Sequence, residues 1–237
     1  MNDQREIIVQ LIGAAMAYGS GPDVLRDIDL TLQAGSFHVL TGRSGAGKTS
    51  LLKMIALARP LARGRLDLFG QDVTHVRRHA RPGLRRRIGM IFQDFRLLDH
   101  LTVFDNVALP LRLAQVDTKE TEMSTGEMLS WLGMDNLARE FPPVLSMGQR
   151  QLIAAARAVV TRPALLLADE PTSHLDHDRG DRLMRLFMEL NRMGTAVLIA
   201  THHAGALRRY PFRQLQVHDG TLWPAGPAAW QPAERIA

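Results

Sequence analysis

Residues 36–58 read SFHVLTGRSGAGKTSLLKMIALA. SFHVLTG (36–42) is an apolar run of strand length, and GKTSLLKMIALA (47–58) has helical spacing. Between them GRSGAGKT (42–49) fits G-x-x-x-x-G-K-[ST], a loop that cradles phosphates when it joins a strand to a helix. Gly42, Gly45 and Gly47 let the backbone N–H groups turn inward, with Arg43, Ser44, Ala46 and Ser50 completing the cradle. Lys48 is expected to reach the β- and γ-phosphates of a bound nucleotide, and Thr49 to offer its hydroxyl to Mg²⁺.

A loop of this kind needs an acidic partner for the metal. LLLADE (165–170) supplies one: a continuous apolar run, the pattern of a strand buried on both faces, that ends in Asp169 and Glu170. Asp169 is the expected Mg²⁺ carboxylate, and Glu170, one residue further out, the general base for an attacking water. A helical stretch (176–194) and a second buried run, TAVLIAT (195–201), follow, so strand and helix alternate as in a parallel sheet.

Further out, EIIVQLIGAAMAY (6–18), VLRDIDLTL (24–32) and RGRLDLFGQDV (63–73) have strand and hairpin patterns, which predicts an antiparallel N-terminal β subdomain. The span 95–160 is mostly helical and has the look of an insert. Within it VLSMGQRQL (144–152) contains a second helix start, with Ser146 as N-cap and Gly148 and Gln149 in the first turn. A helix start with a hydroxyl and a close glycine is a second anion site. The connector RRHARPGLRRR (77–87) carries six arginines; it is a solvated loop by default and a contact for anionic lipid head groups on the sharper reading. One domain over 1–220 is expected, followed by a Pro/Ala-rich tail over 221–237 that is poorly ordered in part.

The totals exclude several classes. No cysteine occurs among the 237 residues, so there are no disulfides and no cysteine zinc sites. The longest apolar runs, such as ALLLA (164–168), fall far short of the ~20 residues a membrane span needs. MNDQREIIVQ has no signal-peptide core, and the expectation is a cytoplasmic protein. The net charge of +5 suits nucleic acid, an anionic membrane face or a polyphosphate ligand without choosing among them.

From about Ile7 to Gly220 these motifs, in this order, resemble the nucleotide-binding subunits of ABC transporters. The resemblance implies an α/β fold of the P-loop NTPase kind, with a mixed core sheet, an antiparallel β subdomain and an inserted α-helical subdomain. It implies ATP and Mg²⁺ as ligands. Gln93, by itself a strand-end polar residue, then contacts the metal and water and senses a membrane partner. Tyr18, by itself a turn tyrosine on the sheet edge, stacks on adenine. LSMGQ (145–149) matches the family signature, SHLD (173–176) the segment whose Asp176 lies near the nucleotide, and His202 the switch histidine that meets the γ-phosphate. Catalysis would rest on Glu170, His202, Gln93 and Lys48, and metal binding on Thr49, Gln93 and Asp169.

In the family two subunits meet head to tail, so Ser146 and Gly148 would serve the other copy's ATP. That answers what the second anion site is for. The resemblance also implies a separate integral membrane subunit, with this chain held at the cytoplasmic face of the cell membrane. Residues 40–55, 84–111 and 156–176 look like the cell-division branch, whose cassette acts on peptidoglycan hydrolysis through its membrane partner; the lipoprotein-release and macrolide-export branches are similar. Phe95, Leu97, Leu98 and Leu101 either line a docking groove for that partner or pack the insert's own core. Three residues depart from the family pattern: Met147 where glycine is usual, His174 where a small residue or Asn is usual, and Leu152 where arginine is usual. Slow hydrolysis with dimerisation retained is the expected consequence. A DNA-linked ATPase and a non-hydrolysing scaffold are the rival classes; no nucleic-acid partner is expected, because long coiled coils and zinc modules are missing.

Overall fold

The computed structural model describes residues 6–202 and 212–225. Two sheets pack on either side of one helix. The first is antiparallel, with strand order β2-β1-β4-β5: β1 is Ile7–Ala17, β2 Asp23–Gln33, β4 Arg63–Leu68 and β5 Gln71–Asp72. The alternation in β2 explains its place, since Leu25, Ile28, Leu30 and Leu32 are buried while the residues between them face outward.

The second sheet has the order β10-β9-β3-β8-β7-β6. Its strands are β3 (Phe37–Thr41), β6 (Ile88–Ile91), β7 (Leu165–Asp169), β8 (Ala196–Ala200), β9 (Arg213–His218) and β10 (Thr221–Ala225). All its neighbours run parallel except β9 and β10. β7 and β8 are buried at every position because both faces are covered. Leu165 and Leu167 join the core shared with helix α1 (Lys48–Ile55) and the antiparallel sheet. Leu166 and Ala168 turn the other way, onto α5 (Met147–Val159) and α6 (His177–Arg192).

The helical subdomain holds α3 (Val103–Leu113), α4 (Thr118–Leu132) and α5. Thr102 caps α3 by accepting from the Asp105 N–H, and Asp117 caps α4 by accepting from Lys119 and Glu120. Leu97 is partly buried against this subdomain's own core. That is the self-packing alternative for its side chain.

Two sequence expectations change. The basic connector is not all loop, because Arg81–Arg85 forms a short helix, α2, opened by Pro82 in its first turn. The tail does not begin at 221: β10 pairs antiparallel with β9, so the folded unit runs on to Ala225. Pro224 is tolerated there because β10 is an edge strand. His203 and Trp230 lie outside the described residues.

Candidate functional site

The glycine loop follows β3 and opens α1. Gly42 and Gly47 have φ of 147° and 112°. A Cβ on Gly42 would come within 2.5 Å of the Val217 carbonyl oxygen, and one on Gly47 within 2.8 Å of the Leu25 side chain. Both positions therefore need glycine for conformation, and Gly42, whose neighbour is backbone, needs it for space as well. Arg43, Ser44, Gly45 and Ala46 line a cleft of about 320 Å³ together with Asp23, Val24, Asp219 and Gly220. Lys48 is buried, and its Nζ donates to the carbonyls of Gly42 (2.8 Å) and Arg43 (3.1 Å). The loop thus wraps its own cation, holding positive charge where a polyphosphate would lie. Tyr18, half-exposed at the end of β1, places its hydroxyl 3.0 Å from Ser50 Oγ, and the Arg59 guanidinium lies over its ring.

The acidic pair arrives from the next-but-one strand. Thr49 Oγ1 donates to Asp169 Oδ2 at 2.7 Å, joining the loop hydroxyl to the last residue of β7. Burial pushes the Asp169 carboxyl above its ordinary value, with the Thr49 hydrogen bond working against that rise. A buried carboxylate of this kind gains from a cation beside it.

Glu170 leaves the strand with φ of 52°, a sparsely populated region for a side-chain-bearing residue. Three groups secure its carboxylate. Oε1 accepts from the His202 backbone N–H (2.8 Å) and lies 2.6 Å from His202 Nδ1; Oε2 accepts from the Thr201 hydroxyl (3.0 Å). The parallel register explains the meeting, because Asp169 pairs with Ala200 and the residues that follow leave the two strands side by side. Gln93 is exposed two residues beyond β6, where the pairing of Ile91 with Ala168 brings it level with Glu170. Tyr18, the loop, Gln93, Asp169, Glu170 and His202 therefore gather along one edge of the core.

The second helix start is built differently. Ser146 Oγ accepts from the Gln149 N–H at 3.3 Å, and Gln149 Oε1 accepts from the Ser146 N–H at 2.8 Å, a complete capping box. Among the described residues, no hydrogen bond or ion pair joins 144–149 to the loop at 42–50. Gly148 is buried, and a Cβ there would come within 2.9 Å of the His174 carbonyl oxygen. Met147 is 52% exposed, so its side chain makes room for itself by pointing outward. Leu152 is fully buried in the helical core, while Arg150 grips the carbonyls of Leu145 and Pro143. Asp176 caps α6, accepting from the Arg179 N–H at 2.9 Å.

Gln151 went unnoticed in the sequence. It is buried, its Nε2 donates to the Glu170 carbonyl at 2.7 Å, and its Oε1 accepts from the His174 N–H at 3.2 Å. It ties α5 to the backbone of Glu170. Its one signal was a polar residue on the apolar side of a helical pattern.

The ABC transporter family model matches residues 25–173. The chain is 44% identical over 207 residues to the cell division ATP-binding protein FtsE of Escherichia coli K12, covering 87% of this chain and 93% of that one. It is 32% identical over 215 residues to the FtsE of Streptococcus pneumoniae D39, covering 91% and 94%. Among solved structures it superposes, with a TM-score of 0.85 and 29% identity, on a dimeric ATP-binding cassette in a post-hydrolysis state bound to ADP and Pi, covering 91% of this chain and 96% of that one. Among the described residues no helix is long and apolar enough to cross a membrane. With its phosphate loop, its acidic pair and a family match over more than half its length, the chain belongs to the ABC transporter family of ATP-binding cassettes.

Proposed function

We propose that this chain is the ATP-hydrolysing subunit of an FtsE-like complex: two copies close around ATP and drive a separate, FtsX-like integral membrane subunit in bacterial cell division and the control of peptidoglycan hydrolysis. The observation that carries the hydrolytic part is the convergence of Thr49, Asp169, Glu170 and His202 beside the glycine loop. FtsE relatives support the cell-division part. A lipoprotein-release or macrolide-export ATPase is the second reading within the family.

Lys48 and the loop N–H groups bind and orient the phosphates, and Tyr18 meets the adenine. Thr49 and Asp169 hold Mg²⁺, with Gln93 as a further ligand. The donor set fits a hard cation that takes few protein ligands and fills its remaining positions with phosphate and water oxygens. When bound, the metal offsets charge on the phosphates. Glu170 accepts a proton from the attacking water, and His202, which holds Glu170 in the described state, turns to the γ-phosphate. Asp176, which caps α6, serves the nucleotide by its match to the family segment.

Ser146, Gly148 and Gln149 act on the nucleotide of the second copy. Support comes from their lack of hydrogen bonds to this chain's own loop and from the dimeric state of the structurally similar cassette. The chain sits peripherally on the cytoplasmic face of the cell membrane, held by its partner and by contact of arginines 77–87 with anionic lipid. Sizing of Glu170→Gln in Mg-ATP tests the central claim. A dimer is expected, with turnover down by at least about 100-fold; a monomer with full turnover would overturn the reading.

A further inference from the structure

The backbone just past Gln93 takes an unusual path. Phe95 and Arg96 are consecutive side-chain-bearing residues with φ of 55° and 52°. Residues other than glycine enter that region at a cost and stay there only when their surroundings hold them.

The hold comes from α5. One guanidinium nitrogen of Arg157 donates to the Phe95 carbonyl at 2.8 Å, and the other to the Arg96 carbonyl at 2.7 Å. A planar two-pronged donor is suited to gripping two adjacent acceptors, which a lysine ammonium does less well. Asn106 of α3, fully buried, fixes the next stretch: its Oδ1 accepts from the Leu98 N–H, and its Nδ2 donates to the carbonyls of Leu98, Leu101 and Thr102. A second route leads back to the same helix, since the Phe95 ring meets His174 edge-on and His174 is bonded to Gln151 of α5. Only Asp94 separates Gln93 from the gripped pair.

We infer that Arg157 is a positioning residue for Gln93, acting by clamping the left-handed pair Phe95–Arg96 so that the signature helix sets where Gln93 stands. This rests on the role proposed above for Gln93. Among the described residues, the clamp joins the helix that opens at Ser146 to the loop beside Glu170 by side-chain-to-backbone bonds alone, so a small rotation of α5 would carry Gln93 with it.

The test uses Arg157→Met, Gln93→Ala and the double variant in the full chain. Arg157→Met is expected to lower kcat about tenfold while KM for ATP stays within about threefold, because misplacement rather than lost binding is the cause. In the Gln93→Ala background the same change should cost less than about twofold, since the group being positioned is gone. Independently, tryptic cleavage after Arg96 should quicken about tenfold as the turn opens. Losses that multiply in the double variant, or an unchanged cleavage rate at Arg96, would overturn the inference. If Arg157→Met does not fold, Arg157→Lys keeps the charge, loses the fork and is put through the same assays. Should Gln93→Ala turn over at the wild-type rate, the proposed role of Gln93 fails, and cleavage at Arg96 still decides whether the clamp exists.

Discussion

Two helices of this protein begin with glycine beside an expected phosphate, and they begin in opposite ways. α1 starts after Gly47, which is left-handed and gives the helix no side-chain cap. Its first N–H groups are left to a ligand. α5 starts after Ser146, and the reciprocal bonds of Ser146 and Gln149 satisfy two N–H groups at its start from within, those of Ser146 and Gln149. A helix N-terminus carries roughly +0.5 charge in either case. The difference is that α1 has no side-chain cap at all, whereas α5 is already partly satisfied by its own cap, which leaves the Met147 and Gly148 N–H groups for an anion. Nucleotide should therefore bind first to the loop of one chain, and the signature helix of the second copy should close on it afterwards and let go more easily.

The largest expected effect separates the two starts directly. Lys48→Ala should weaken ATP binding to a single chain by about 100-fold, since it removes a charge-assisted donor. Ser146→Ala should leave that affinity unchanged, lower turnover about tenfold and cost about 1 kcal/mol of stability from the lost cap. Equilibrium nucleotide binding and steady-state turnover check both. If Ser146→Ala weakened single-chain binding as much as Lys48→Ala does, the two-step order would fall.

Acid supplies the next test. His38 lies buried in β3, the strand that feeds the α1 loop, and burial, reinforced by nearby Arg213, lowers its pKa to about 4. Its Nδ1 has no hydrogen-bond partner. The fold thus favours the neutral ring. That contribution is fully present above the unfolded value near 6.5 and is lost as pH falls from there toward 4, by roughly 3 kcal/mol in all. Denaturant melts across that range should show the decline, and His38→Leu should flatten it. A wild-type curve flat between pH 6.5 and 4 would remove His38 from the account.

The remaining effects come from adjacent residues in α5. Gly148→Ala places a Cβ against the His174 carbonyl, so it should destabilise by about 1–3 kcal/mol and weaken the ATP dimer. Met147→Gly removes only an exposed side chain and should raise turnover severalfold, if the departure at Met147 is what slows hydrolysis. Thermal melts and turnover of the pair sharpen the comparison: the second glycine position is demanded by this chain's own backbone, the first is not. Turnover of Met147→Gly at or below that of the wild type would end that expectation.

The glycine loop, the acidic pair and the Ser146 N-cap were legible because each lies within a few residues of chain and has a pattern enforced by local geometry; the reciprocal bond from Gln149 emerged only in the structure. β7 and β8 were legible as uninterrupted apolar runs. Gln151, Arg157 and Asn106 were not. Each is a polar residue in a helical pattern whose partners the pattern does not name: Gln151 and Arg157 reach backbone carbonyls far along the chain, those of Glu170 and of Phe95 and Arg96, and Asn106 binds the irregular stretch just before its own helix. β10 was missed because Pro224 and the Pro/Ala-rich run after it speak against a strand, and only an edge position beside β9 makes one possible.

Taken alone, the order of amino acids determined which groups can hold a phosphate, a metal and a proton, since those capacities belong to residue types at short spacing. The tertiary structure decided which of them meet. Parallel register set Glu170 beside His202, and the packing of α5 on the core sheet set Arg157 on the turn after Gln93 and Gln151 on the carbonyl of Glu170. The physical reason is that a hydrogen bond between distant segments depends on how buried faces fit together, and no local stretch of chain contains that fit.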